Sequence, residues 1–123
     1  MNQNQGAVSH IFGALRFSWA GLCTAFRQEV AFRQDVLLGV VNMALAIFLP
    51  IELLARLFMI AIWVVLISVE LLNTAIEAVV DLVSPQRQEK ARIAKDVASA
   101  AVFSVLVLWM TCWVVLIVRC ACR

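Results

Sequence analysis

The chain has 123 residues, 64% of them hydrophobic and 15% charged, with four Gly and two Pro. A soluble domain averages about 45–50% apolar and roughly 25% charged, and here the apolar excess gathers in blocks, which points to bilayer-spanning segments rather than a soluble globule. The net charge of +2, with no basic run, argues against nucleic acid as a partner, and the length allows one domain.

Residues 1–5 are polar and uncharged, unlike a cleavable signal peptide, and the first long apolar run begins only after Asp35. From Val8 to Arg27 the apolar residues Val8, Ile11, Phe12, Leu15, Trp19, Leu22 and Phe26 fall within an arc of about 100°, the pattern of an amphipathic helix. His10, Gly13, Arg16, Thr24 and Arg27 take the other side. With Trp and Phe on the apolar face, this helix is expected to lie in the membrane surface.

A first span is expected over 31–49, ending at Pro50, and a second helix over 53–83, stopped by Ser84-Pro85. A polar stretch, Gln86 to Asp96, separates it from a third span over 97–118, which carries no charge. Ala94, Ala98 and Ala101 share one face there, suited to close helix packing. The expected fold is therefore an all-α membrane protein, a surface helix followed by three transmembrane helices. Three spans enclose no large cavity, so neighbouring subunits should complete any active site. Arg87, Lys90, Arg92 and Lys95 in one loop, against Arg56 in the other, place the N-terminus in the cytoplasm and the C-terminus outside. Cys23, Cys112, Cys120 and Cys122 fit neither a zinc site nor a redox CxxC.

The second helix carries the chemistry. An acidic residue at mid-membrane costs about 2.5–3.5 kcal/mol on insertion scales, so two of them need a reason. Glu70 and Glu77 are seven residues apart, about 20° from eclipsed, with Asn73 within about 60° of both and Asp81 returning to the stripe. A polar seam between subunits would explain one such group more readily than four. Glu77 stands roughly 10 Å nearer the cytoplasmic end than Glu70. Glu29, Lys95 and Asp96 reach the same level from the other spans. Two hard oxygen ligands beside a phosphate-binding cation suit Mg²⁺ with a nucleoside triphosphate. The deeper, desolvated Glu70 suits a general base for an alcohol.

The run from Glu70 to Asp81, ELLNTAIEAVVD, resembles the signature of the small bacterial integral-membrane diacylglycerol kinases and their undecaprenol kinase relatives. The likeness extends through Ser18-Trp19, Glu29 with Ala31-Phe32-Arg33-Gln34, and Ala94-Lys95-Asp96. It implies an ATP- and Mg²⁺-dependent lipid kinase of the bacterial inner membrane, a homotrimer with sites shared between subunits, that converts diacylglycerol to phosphatidic acid. Glu70 would be the base, Asn73 would orient it, and Glu29 and Glu77 would hold the metal. Phe17, Gln86, Arg87, Gln88, Lys95 and Asp96, with the two metal carboxylates, would contact the nucleotide. His10, Ala14, Trp19, Ala31, Phe32, Arg33, Gln34, Asp35, Ser99 and Trp113 would contact the lipid. Phe17, His10 and Asp35 stand where the family pattern leads one to expect Tyr, Arg and Glu. An undecaprenol kinase and, from another class, an ion-coupled oligomeric transporter are the alternatives. The sequence has no GxxxxGK[ST] loop and no HRD or DFG set.

Overall fold

The computed structural model describes residues 3–84, 86 and 88–122, with side chains from Ser9 onward. Four helices account for nearly all of them: α1 (Gln3–Gln28), α2 (Val30–Phe48), α3 (Leu53–Val83) and α4 (Glu89–Ala121). Three of these, α2, α3 and α4, are long and apolar enough to cross a membrane. The chain is a membrane protein of the all-α class.

The breaks follow from local chemistry. Glu29 takes an extended backbone (φ −102°, ψ 120°) between α1 and α2. The free carbonyls at the end of α1 are met from the next helix, where Arg33 Nη1 donates to Phe26 O (3.3 Å) and Arg27 O (3.1 Å). Leu49 leaves helical geometry just before Pro50, which cannot continue a helix. Helix α4 begins at Glu89, not at Val97 as the hydropathy suggests. Arg92 bonds Glu89 (2.6 Å) and Asp96 (2.6 Å), i,i+3 and i,i+4 pairs that support a polar first turn. The polar stretch expected as a loop is helical from Glu89 onward. Helix α1 likewise starts earlier than position 8, at Gln3.

At 1.5 Å per residue, the 19 residues of α2 span about 28 Å, close to the hydrocarbon thickness of about 30 Å. The 31 residues of α3 and 33 of α4 reach roughly 46 and 50 Å, so one end of each must project beyond the hydrocarbon. Hydroxyls along the spans close onto their own helices, Ser68 to Val64 O and Thr111 to Val107 O among them, which satisfies them in lipid.

The core lies toward the α2–α3 turn. Ala46, Met59, Ile62, Trp109 and Trp113 form its buried cluster. At its centre Asn42, fully buried, accepts hydrogen bonds at 2.9 Å from the indole N–H groups of both Trp109 and Trp113. Gly39 faces Trp63 so closely that a Cβ there would overlap the indole, and Trp63 Nε1 donates to the Asp35 carbonyl (3.2 Å). Helix α1 packs through Ala25 and leaves Ile11, Phe12, Leu15 and Trp19 exposed, an uncovered apolar face of the kind an interfacial helix presents.

Candidate active site

The polar stripe of α3 runs from the packed interior to the projecting end. Glu70 is 4% exposed, and no hydrogen bond reaches its carboxylate among the described residues. One turn on, Asn73 Nδ2 donates to Glu77 Oε1 (3.3 Å) while Asn73 Oδ1 is buried without a partner. The amide therefore orients Glu77; no bond runs from it to Glu70. Asp81 Oδ1 then accepts from Lys95 Nζ at 2.6 Å, tying α3 to α4. Measured from Leu53, Glu70 lies about 26 Å along the helix and Glu77 about 36 Å. For a hydrocarbon layer of about 30 Å beginning at Leu53, Glu70 would fall inside it and Glu77 beyond it.

Glu29 joins this stripe because the α1–α2 break brings it over α3. An open cavity of about 710 Å³ between α1 and α3 is lined by Thr24, Gln28, Glu29, Thr74, Glu77 and Asp81 among others. Among the described residues no three His, Cys, Asp or Glu side chains form a metal cage. Glu29 and Glu77, which line the same cavity, are the kind of set that suits Mg²⁺, which takes one or two protein oxygens and completes its shell from phosphate and water. A second cavity, about 550 Å³, is lined by Asp81, Arg92, Lys95 and Asp96, so Asp81 borders both.

The remaining expected residues are dispersed. Trp19 and Phe32 line an apolar cleft between α1 and α2. His10, Ala14 and Phe17 line a shallow cleft on α1, where Arg16 stacks over the Phe17 ring at 5.4 Å. Arg33 is engaged at the end of α1, and Asp35 receives Trp63 on its backbone; Ala31 and Gln34 are exposed on the first turns of α2. Gln86 and Gln88 are exposed in the α3–α4 connection, and Arg87 lies outside the described residues. Ser99 is exposed on α4. Trp113 is 5% exposed in the core, bonded to Asn42 and far from the Glu29–Glu77 cavity. Sequence patterns do not single out Asn42, the pairing of Asp81 with Lys95, or the cavity position of Arg92. The spacing of Arg92 from Glu89 and Asp96 signals only their pairing.

A helical membrane protein with acids aligned at the edge of the hydrocarbon layer, beside cations on a neighbouring helix, has the parts of a membrane-embedded phosphotransferase. Residues 16–117 match the family described as prokaryotic diacylglycerol kinase. Among relatives, the diacylglycerol kinase of Pseudomonas aeruginosa is 43% identical over 111 residues, covering 90% of either chain. That of Escherichia coli K12 is 33% identical over 117 residues, 95% of this chain and 96% of its own. That of Haemophilus influenzae is 34% identical over 106 residues, 86% and 90% respectively. The chain belongs to the prokaryotic diacylglycerol kinase family.

Proposed function

We propose that the protein transfers the γ-phosphoryl group of ATP to the hydroxyl of diacylglycerol, giving phosphatidic acid, at the cavity between α1 and α3. The observation that carries this is the order of one helix stripe: Glu70 buried in the packed interior, then Glu77 and Asp81 further toward the end of α3, with Lys95 held to Asp81, an order that supports Glu70 as the group nearer the lipid. A lipid hydroxyl approaches from the bilayer and a nucleotide from water, and the two meet between Glu70 and Glu77. Family membership favours this over ion-coupled transport, and the diacylglycerol kinases among its relatives favour diacylglycerol over undecaprenol.

Glu29 and Glu77 would hold Mg²⁺, which when bound neutralises charge on the phosphate oxygens. Asn73 fixes the Glu77 carboxylate. Lys95 draws the transferred group toward α4. Glu70 accepts the proton from the lipid hydroxyl, so the attacking oxygen carries its electron pair to phosphorus as the bond to ADP breaks. The transition state is loose, so positioning and charge stabilisation supply most of the rate. The cavity is walled by only two helices, which supports a homotrimer in which neighbouring copies complete each site. Lys90, Arg92 and Lys95 at the start of α4, with Arg87 just before it in the sequence, support a cytoplasmic N-terminus and an outer C-terminus in the bacterial inner membrane. Purified protein in mixed micelles, given MgATP with diacylglycerol, undecaprenol or no lipid, tests the reading. Phosphatidic acid formation is expected, and ATP hydrolysis indifferent to lipid would contradict it.

A further inference from the structure

Two cations of α4 share the second cavity, and only one has a role above. Arg92 and Lys95 are three residues apart, neighbours on one helix face, and both line the cavity of about 550 Å³ with Asp81 and Asp96. Each is held by carboxylates. Lys95 bonds Asp81 at 2.6 Å. Arg92 uses Nη2 and Nε on Glu89 (2.6 and 3.3 Å) and Nη1 on Asp96 (2.6 Å).

We propose that Arg92 is a second phosphate-binding cation of the nucleotide site, its guanidinium leaving Glu89 and Asp96 to take the terminal phosphates of ATP beside Lys95. The inference rests on the nucleotide reading of Lys95 and deepens it. The planar fork that now spans two carboxylates matches phosphate oxygens equally well, pairwise and in one plane. The present partners hold it weakly, since the side chains of Arg92, Glu89 and Asp96 are 60, 70 and 59% exposed, and exposed pairs contribute little. A phosphate chain bearing several charges outcompetes them. Glu89 then acts as a competitor for Arg92, present in the empty site and displaced in the loaded one.

That competition separates a phosphate ligand from a mere brace of the α4 start. If the pair only braces the helix, removing either partner has the same effect. If Arg92 binds phosphate, the two removals have opposite effects. The experiment titrates MgATP, MgADP and AMP into purified full-length wild type, Arg92→Lys, Glu89→Gln and the double variant in micelles, with helix content checked by circular dichroism. Lys keeps the charge and removes the fork. Arg92→Lys should raise the Kd for ATP roughly tenfold and leave AMP within about twofold. Glu89→Gln should tighten ATP, and that gain should vanish in the double variant. Arg92→Lys binding ATP within about twofold of wild type, or both single variants weakening it equally, overturns the role of Arg92 alone. A wild type that binds no ATP overturns the phosphotransferase reading and this inference together.

Discussion

Replacing Asn42 with Leu removes the one acceptor shared by two buried indoles. Trp109 and Trp113 each donate to Asn42 Oδ1 at 2.9 Å, from α4 to α2, and Asn42 is fully buried. In a soluble core each stranded donor would cost about 1–3 kcal/mol. Interhelical bonds in a bilayer average about 0.6 and reach about 1.7 kcal/mol, because the dissociated helices also find partners. Two such bonds give about 1–3 kcal/mol. Asn42 Nδ2 is itself buried without a partner, a cost that Leu removes, so the lower half of that range is expected. Equilibrium unfolding in micelles, followed by near-UV circular dichroism of the tryptophans, should show a loss of about 1–2 kcal/mol. Adding Trp109→Phe and Trp113→Phe to Asn42→Leu should recover much of it, since exchanging both partners for apolar groups is nearly neutral. A loss below about 0.3 kcal/mol, or strict additivity of the three changes, would refute the node.

Gly39→Ala places a methyl on the Trp63 indole and should destabilise by about 1–3 kcal/mol in the same assay, with recovery on adding Trp63→Leu; an unchanged midpoint would show that the helices do not approach so closely. Glu77→Gln and Glu29→Gln should each weaken apparent Mg²⁺ affinity and activity together while leaving the oligomer intact, and normal Mg²⁺ dependence in either removes that residue from the metal site. In a cysteine-free background, Gln88→Cys and a single retained Cys122 should label from opposite sides of intact cells. Labelling of both from one side contradicts three crossings.

Local patterns in the sequence were enough for much of the fold. Predominantly apolar runs bounded by Pro50 and Ser84-Pro85 place α2 and α3, and the Glu70–Asp81 stripe follows from helical spacing alone. The start of α4 was hidden because hydropathy weighs Glu89, Arg92 and Asp96 as polar, whereas their i,i+3 and i,i+4 spacing is compatible with helix and adds modest support to it. The Asn42 node was illegible for a different reason. Its partners lie 67 and 71 residues away, so nothing near Asn42 distinguishes a clamp from a stray polar residue. The same distance problem affects Trp113, whose place in the core depends on packing between α2 and α4. At the site, Glu29 joining Glu77 was readable from antiparallel spans, but the choice of Asn73 for Glu77 over Glu70 depends on side-chain geometry.

The division of labour along α3 is tested most directly by single-turnover phosphorylation of diacylglycerol with Glu70→Gln, measured beside MgATP binding by the same protein. Gln keeps the shape of Glu and cannot accept the proton. A general base typically contributes about 10²–10⁴-fold, so the transfer rate should fall by at least about 10² while the Kd for MgATP stays near that of the wild type. Near-normal transfer would contradict the assignment of Glu70 as base. Loss of MgATP binding together with transfer would move Glu70 to the metal site, and the depth order on which the account rests would be wrong.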